Sequence, residues 1–257
     1  MLFELRYRDL VFACDETNAS ALYGICFGGS YDPLIKELNG DDVVLDAGAN
    51  VGVFSIIASK IVDFVYAVEP NETNFRLLEK NVRLNDAKNV FPIKVALSDN
   101  PGVGYMEGKG IRGHLANKGV QVALDTIDGV TGERATAIKM DIEGSELRAL
   151  KDQKSLDNVR VIAVETDYTL NQVMDYLITR GFIVDGTYSE LVRKSSVIRK
   201  ALSKDLIFNE FRTRLLITRT FALPILGGKF DPFSPLRGSQ ATQLVYAHKR
   251  GRTQIKN

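Results

Sequence analysis

The sequence is poor in the residues from which disulfide frameworks and metal sites are built. It has two cysteines, Cys14 and Cys26, and two histidines, with no C-x-x-C or H-x-x-x-H spacing. A chain of 257 residues can bury a large core without a covalent cross-link, so we interpret the cysteines as free thiols in a reducing compartment. No metal site is predicted.

Long apolar runs and an excess of charge of one sign are also missing. No segment approaches the ~20 apolar residues that span a bilayer, and charges scattered through residues 1–16 argue against a signal peptide. The 33 Lys and Arg balance 32 Asp and Glu, which argues against a surface devoted to nucleic acid or an anionic membrane. We therefore expect a soluble, cytoplasmic protein without a membrane span.

The sequence does contain short apolar runs that alternate with helical patterns, which is typical of βαβ units. Strands are predicted over Val43–Ala47, Phe64–Glu69, Phe91–Leu97, Ala135–Asp141, Arg160–Glu165, Phe182–Thr187 and Gln243–His248. Helices are predicted after Val51, over Asn71–Leu84, from Ser145, and from Leu170 to Gly181. The predicted fold class is α/β, with a doubly wound, mostly parallel sheet and an antiparallel last strand.

Three stretches do not fit this repeat. Residues 1–40 are predicted to form a small N-terminal cap on a main domain of residues 41–257. Residues 100–120 contain six glycines and are predicted to be a mobile loop. Residues 189–240 are predicted to be a basic helical insertion before the last strand, because Ser189–Leu223 carries eight Lys or Arg and three acidic residues. This insertion is either a solvated cover over the sheet edge or a lid that recognises an anionic acceptor.

The first predicted strand runs into a glycine-containing turn, from Asp46 to Gly52. A strand, such a turn and a helix start place backbone N–H groups against a nucleotide-like ligand. Gly48 permits close approach of the chain, and Asn50 tolerates the left-handed conformation. The spacing Gly48-x-x-x-Gly52 differs from the G-x-G-x-x-G fingerprint of NAD-binding proteins, which disfavours a dinucleotide.

Acidic side chains at the strand ends indicate what this ligand carries. Glu69 ends the second strand, where a carboxylate can accept both hydroxyls of a ribose. Asp46 would suit a sulfonium and an ammonium better than a pyrophosphate, and Ser98 and Asp99 follow the third strand, where an acid can accept from an adenine amino group. Each acid alone is equally well explained as a strand-end cap, but Asp46 and Glu69 together with the turn favour cofactor binding.

A set of short motifs extends in order from about Asp42 to Tyr188. It comprises Val44-Leu-Asp-Ala-Gly-Ala-Asn-Val-Gly-Val-Phe-Ser55, Ala67-Val-Glu-Pro70, the spaced Asn74, Asn81 and Asn85, Ala96-Leu-Ser-Asp99, Leu124-Asp-Thr-Ile127 and Ile138-Lys-Met-Asp-Ile-Glu-Gly144. This set resembles the FkbM family of S-adenosylmethionine-dependent methyltransferases. The resemblance implies a Rossmann-like class I methyltransferase fold, S-adenosylmethionine as cofactor, and methylation of a hydroxyl on a sugar, glycan or secondary metabolite.

The segment of the fourth core strand is where we predict the catalytic groups. Asp141, at the strand end, is the first choice for a general base or for orienting the acceptor hydroxyl, and Lys139 could stabilise developing alkoxide charge. The alternative is a Lys139 ion pair with Asp141 or Glu143 that only orders the turn. His114, in the glycine-rich stretch, is a second candidate base. Glu165, ending the fifth strand, is a candidate substrate-binding acid, and a metal held by Asp141 and Glu165 is a further alternative.

Two other functions are consistent with the motifs. The first and second motifs are also similar to those of tRNA guanine N1 methyltransferases, but these carry an Asn-Pro-Pro-type element where this chain has Asp141-Ile-Glu143-Gly. A non-catalytic nucleotide-binding protein is the other alternative. We expect a small-molecule or glycan acceptor rather than nucleic acid, and the sequence leaves the oligomeric state open.

Overall fold

The computed structural model describes residues 2–108, 113–166, 169–189, 206–208 and 243–249. Its strands are β1 Phe3–Tyr7, β2 Leu10–Cys14, β3 Val43–Ala47, β4 Phe64–Val68, β5 Val90–Ile93, β6 Ala96–Leu97, β7 Gly102–Glu107, β8 His114–Ala116, β9 Val120–Asp125, β10 Ala137–Met140, β11 Val161–Thr166, β12 Ile183–Ser189, β13 Leu206–Phe208 and β14 Gln243–His248. Its α-helices are α1 Ala19–Tyr23, α2 Asp32–Glu37, α3 Val53–Ala58, α4 Glu72–Leu84, α5 Ile127–Thr131, α6 Glu146–Leu150, α7 Ser155–Asn158 and α8 Leu170–Thr179, with a π-helical turn at Gly24–Gly28.

A central sheet has the strand order β12-β14-β11-β10-β3-β4-β5. Strands β5, β4, β3, β10 and β11 are parallel, and β14 is antiparallel to both of its neighbours. This confirms the predicted doubly wound, mostly parallel sheet with an antiparallel last strand. The chain winds outward in one direction from β3 and in the other from β10, so the carboxyl ends of these two strands form the switch point where α/β sheets bind ligands.

Both faces of the central sheet are covered, because its inner strands are almost continuously apolar. One face packs under α8 and buries Met140 and Val164. The other face packs under α3 and α4. The apolar cluster on this face includes Leu5 and Phe12 from the N-terminal hairpin that β1 and β2 form. Two of the spaced asparagines attach this hairpin, since Asn81 of α4 and Asn85, which caps that helix, each exchange two hydrogen bonds with the backbone of β2.

The loop predicted over residues 100–120 is wrong for residues 102–107, 114–116 and 120, which lie in strands, whereas residues 109–112 lie outside the described residues. Strands β7 and β8 form an antiparallel pair, and β7 pairs on its other side with β9 in a sheet of order β6-β9-β7-β8. Gly104 lies close to Leu124 in this sheet, because a Cβ at Gly104 would lie 2.9 Å from Leu124 Cδ2 and would require that side chain to shift. The single strand predicted over Phe91–Leu97 is also wrong, since β5 belongs to the central sheet and β6 to this second sheet.

The basic segment is described only in part. Leu206–Phe208 is a strand, β13, whose backbone pairs antiparallel with β1, so the helical prediction is wrong at these three residues. The open edge of β1 supplies the hydrogen-bond partners that a local helix would otherwise provide. Residues 190–205 and 209–242 lie outside the described residues, and the division into cap, domain and insertion stays a prediction. Within the described part of the chain, no helix is long and apolar enough to cross a membrane.

Candidate active site

The turn after β3 has the conformation that its sequence predicts. Gly48, Asn50 and Gly52 have φ angles of +76°, +53° and +86°. A Cβ at Gly48 would lie 1.9 Å from the carbonyl oxygen of Asp141, and one at Gly52 would lie 2.5 Å from Leu78 Cδ1. Glycine is therefore required at both positions by packing as well as by backbone conformation. The turn is pressed directly against the end of β10.

The N–H groups of this turn are engaged within the protein, which differs from the prediction that they face a ligand. Those of Gly48 and Ala49 donate to the carbonyl oxygen of Val68, at 3.0 and 2.8 Å. The N–H of Asn50 donates to Glu69 Oε2 at 2.9 Å, and that of Gly52 to the carbonyl of Ala49. Phosphate-binding turns use such groups to hold the anion. This arrangement disfavours a pyrophosphate ligand at the turn.

Glu69 connects the turn after β3 with the start of α4. Its Oε2 accepts from the N–H of Asn50, and its Oε1 accepts from the N–H of Asn71 at 2.8 Å. The side chain is only 6% exposed, and burial raises its pKa to about 7 despite these hydrogen bonds. The side chain of Asn74 also hydrogen-bonds to this carboxylate, which leaves about one of its four acceptor sites for a further donor. Glu69 can therefore accept from a ligand hydroxyl group, which would stabilise its ionised form.

Three hydrogen-bonded asparagine side chains, those of Asn18, Asn50 and Asn74, support the turn. Asn18 is fully buried, and its Nδ2 donates to Asn50 Oδ1 at 2.9 Å and to Asn74 Oδ1 at 3.0 Å. Asn50 Oδ1 also accepts from the N–H of Val51. Asn18 belongs to the N-terminal segment, so this segment supports the turn through a side chain that sequence analysis did not single out.

Asp46 and Lys139 form a buried ion pair beneath the turn. Lys139 Nζ lies 3.2 Å from Asp46 Oδ1, and Ser55 Oγ donates to Asp46 Oδ2 at 2.5 Å. Lys139 Nζ also donates to the carbonyl of Gly48 at 2.7 Å. Burial acts to lower the pKa of Lys139, but Asp46 and Asp141 outweigh it and raise the pKa above its usual value. The Asp46 carboxylate is fully buried. It therefore influences this sheet edge by holding the charged Lys139 side chain in place.

Asp141 follows the last residue of β10, and Glu165 is the penultimate residue of the neighbouring strand β11. Burial raises the pKa of Asp141 well above its usual value, and the negative charge of Glu165 raises it further, against the opposing charge of Lys139. Glu143 and Glu146 raise it as well. Both side chains are partly exposed, unlike Lys139. The sheet edge thus carries an accessible carboxyl group with enhanced basicity.

Tyr31, which precedes α2, closes the site from the N-terminal side. Its hydroxyl donates to Glu165 Oε2 at 3.0 Å, and its ring lies edge-on to Phe54 with centroids 5.5 Å apart. Lys139 Nζ lies 5.5 Å from the centre of the same ring. The motifs start after residue 40, so no sequence signal pointed to Tyr31.

The remaining predicted residues lie elsewhere around the sheet. Asp99 follows β6, where its Oδ1 accepts from Arg148 Nε at 2.7 Å and from Ser98 Oγ at 3.0 Å. The hydrogen bond from Arg148 holds the pKa of Asp99 below its usual value. His114 is exposed on β8, in register with Glu107, in the second sheet. Its role as an alternative base stays a prediction.

The structure therefore brings most of the predicted residues to one edge of the sheet. Around the switch point lie Asp46, Gly48, Asn50, Glu69, Lys139, Asp141 and Glu165. Glu143, with φ +54°, lies in the adjoining turn before α6. Among the described residues, no cluster of three or more His, Cys, Asp or Glu has the arrangement of a metal site.

Comparison with known families gives a match over the same residues. Residues 46–184 match the methyltransferase FkbM domain. Over 143 residues the chain is 31% identical to hexuronic acid methyltransferase AglP of Haloferax volcanii, and this match covers 51% of the chain and 59% of AglP. It is also 36% identical, over 107 residues, to the tRNA (guanine(37)-N(1))-methyltransferase Trm5b of Methanocaldococcus jannaschii, covering 39% of the chain and 30% of that enzyme.

Among solved structures, the chain is similar to methyltransferase FkbM from Methylobacillus flagellatus. The two share 21% sequence identity with a TM-score of 0.46, over 58% of this chain and 40% of that one. The chain thus spans less than two thirds of the length of each of these relatives.

Proposed function

Because the chain belongs to the FkbM methyltransferase family, whose methyl donor is S-adenosylmethionine, we propose that it methylates a hydroxyl of a sugar, glycan or secondary metabolite. The observation that carries this proposal is the position of Asp141, whose side chain is partly exposed at the end of β10 and whose backbone lies directly against Gly48 of the turn. A carboxyl group in that place is suited to take the proton of a hydroxyl group. The similarity to a hexuronic acid methyltransferase supports a sugar as the acceptor.

The residues around the turn fit S-adenosylmethionine. Glu69 would accept from the ribose, since its carboxylate keeps capacity for a further donor beside Asn50, Asn71 and Asn74. Asp99 would accept from the adenine amino group. The carboxylates of Asp141 and Glu165 would favour the positively charged sulfonium and ammonium groups. The turn has its N–H groups engaged internally, which suits a cofactor without phosphates.

S-adenosylmethionine, when bound, would supply a methyl group for transfer to the acceptor oxygen, with its sulfur leaving as a neutral thioether. The part of this chain would be to accept the hydroxyl proton at the side-chain carboxylate of Asp141. Asp141 and Glu165 orient the hydroxyl, which is an entropic contribution to rate. Lys139 is held by Asp46 and by the carbonyl of Gly48, so it acts on Asp141 by its charge and by fixing the turn.

Methylation of tRNA is the second candidate, favoured by the similarity to Trm5b. The end of β10 weighs against it, because Asp141 and Glu143 place two partly exposed carboxylates at this edge, and these would repel RNA phosphates. The chain also has Glu143-Gly144 in the segment where the tRNA enzymes carry prolines. Binding of tRNA that weakens steeply with salt would support this second function.

Cofactor binding is the first test. We expect calorimetry to show binding of S-adenosylmethionine and S-adenosylhomocysteine to the wild type, loss of both in Glu69→Ala, and no binding of NAD. Transfer of labelled methyl is then measured with neutral sugars, uronic acids and transcribed tRNA as acceptors. Label in a sugar, lost in Asp141→Asn but kept in the exposed Asp152→Asn, supports the proposal, whereas label only in tRNA contradicts it.

A further inference from the structure

The N-terminal segment places a buried amide beside the residues that hold Glu69. Asn18 lies outside the residues that match the family, and it is 0% exposed. Its Nδ2 donates to Asn50 Oδ1 at 2.9 Å and to Asn74 Oδ1 at 3.0 Å. Both acceptors belong to residues that themselves donate to Glu69, Asn50 through its backbone N–H and Asn74 through its side chain. Asn18 thus connects two of the three donors described for this carboxylate.

The hydrogen bonds of this network run in one direction, from Asn18 towards Glu69. Because only the nitrogen of an amide can donate to a carboxylate, the nitrogen of Asn74 faces Glu69 and its oxygen faces Asn18. Asn50 Oδ1 accepts from the N–H of Val51 at 2.8 Å, so it is an acceptor towards Asn18 as well. The two N–H donors of the Asn18 amide therefore match two acceptors, which a carboxylate or a single hydroxyl group could not do.

The position of Asn18 has a cost in stability. Its Oδ1 is buried and has no hydrogen-bond partner among the residues that the structure describes, and an unpaired buried acceptor destabilises a protein. Asn81 shows the arrangement expected of a purely structural amide, since its oxygen accepts from Ala13 and its nitrogen donates to the carbonyls of Ala13 and Val51. Such local costs are typical of functional sites, so Asn18 is better explained by what its two donors position.

We propose that Asn18 is a positioning residue for the cofactor ribose, whose hydrogen bonds to Asn50 and Asn74 hold the Glu69 carboxylate so that its remaining acceptor site receives a ribose hydroxyl group. This inference rests on the proposed function, in which Glu69 accepts from the ribose. A carboxylate that is held before the ligand arrives loses less conformational freedom on binding, which favours affinity. Without Asn18, the oxygen of the Asn74 amide is no longer fixed and the amide can turn away from Glu69. Asn18 therefore acts on affinity through the ribose hydroxyl groups.

The test compares two ligands that differ only at the ribose, and it needs no acceptor. The Kd values of S-adenosylhomocysteine and of its 2′,3′-dideoxy analogue are measured by calorimetry on the full chain, the analogue by competition with S-adenosylhomocysteine. Asn18→Leu and Asn74→Leu break the connection to Glu69 at its two ends, and Asn18→Ser is the smaller change if Asn18→Leu does not fold. The control is Asn89→Leu, because Asn89 also donates to two acceptors but lies near the start of β4.

We expect Asn18→Leu to raise the Kd of S-adenosylhomocysteine about tenfold, the scale of one hydrogen bond to a charged group, and that of the dideoxy analogue by less than about twofold. Asn74→Leu should show the same selectivity, Asn89→Leu should change neither Kd, and Asn18→Leu should add nothing in the Glu69→Gln background. Equal losses for both ligands, or no loss for either, in an Asn18 variant that is folded by circular dichroism overturn the proposal. Failure to methylate any sugar would instead overturn the proposed acceptor and leave these binding constants interpretable.

Discussion

Lys139 and Asp46 lie directly opposite each other in the register of β10 and β3, and their side chains form a buried ion pair. Lys139 is 3% exposed and Asp46 is 0% exposed. Because Lys139 also donates to Gly48, the pair joins the strand that carries Asp141 to the cofactor turn. This ion pair thus joins β3 and β10, the strands from which the two halves of the sheet extend, at the switch point.

Removing one member of this pair should be costly. Lys139→Met leaves Asp46 buried without its counter-ion, and we expect the free energy of unfolding to fall by about 3–5 kcal/mol. The double variant Lys139→Met/Asp46→Asn should lose less than the sum of the single changes. Denaturant unfolding measures both, with Lys154→Met as the control, since its ion pair with Glu133 is exposed. Equal losses in Lys139→Met and the control would contradict the assigned role.

Gly48→Ala should disrupt the contact between the turn and Asp141. A φ of +76° is strained for alanine, and its Cβ would overlap the Asp141 carbonyl oxygen. Gly181→Ala is the matched control, because Gly181 has a φ of +82° and nothing lies within 4 Å of its Cβ position. We expect Gly181→Ala to lower the free energy of unfolding by about 1 kcal/mol and Gly48→Ala to lower it clearly more. Thermal unfolding measures this difference as a lower Tm for Gly48→Ala. Similar Tm values would show that the close approach is relaxed at little cost.

Cofactor binding should depend on pH through Glu69. Its pKa is raised to about 7 by burial, so the ligand-free side chain is mostly protonated below that pH and ionised above it. Ribose hydroxyls donate to the ionised form, so binding should release a proton and tighten by roughly tenfold between pH 6 and 8. Calorimetry with S-adenosylhomocysteine in buffers of different ionisation enthalpy measures both effects.

The control for this pH dependence is the variant Glu72→Gln. Glu72 is exposed and its pKa is lowered by hydrogen bonds from Lys94 and Arg76, so its removal should leave the pH dependence intact. Glu69→Gln should bind more weakly and with less proton release near pH 7. Unaltered proton release in Glu69→Gln would assign the titration to another group.

Asn18→Leu should weaken cofactor binding although Asn18 lies behind the turn. The change removes the donor to Asn50 and Asn74, which costs about 1–3 kcal/mol of stability. Asn89→Leu is a matched control, because Asn89 also donates to two acceptors, the carbonyls of Ser59 and Val62. Both variants should lose stability, but only Asn18→Leu should raise the Kd for S-adenosylhomocysteine. Equal Kd values would restrict Asn18 to a role in folding.

Much of the central sheet could be predicted from the sequence, because its strands are buried on both faces and read as unbroken apolar runs. Val43–Ala47 and Gln243–His248 begin and end where the pattern predicts. The family and its cofactor were also predicted from the ordered motifs, and both are confirmed. These signals are local in the chain, which is why they can be recognised without a structure.

What could not be predicted depends on contacts between distant segments. The six glycines of residues 100–120 suggested a loop, whereas Gly102 and Gly104 lie in β7, and the pairing of β7 with β9 places Gly104 close to Leu124. Asn18 and Tyr31 stand in a segment without motifs, and their importance comes from partners 32 and 134 residues away. The charge of Asp46 was interpreted as suited to a positively charged cofactor, and its pairing with Lys139 follows from strand register, which composition does not reveal.

The position of β14 has a consequence for how the chain acquires its structure. Within the described residues, β12 is hydrogen-bonded in the central sheet only to β14, which stands between it and β11. During synthesis, β12 therefore remains without a partner until Gln243–His248 has emerged, and the edge of β11 stays open for the same period. We expect nascent chains stopped before this strand to expose two unpaired edges and to depend on chaperones, since such edges promote aggregation.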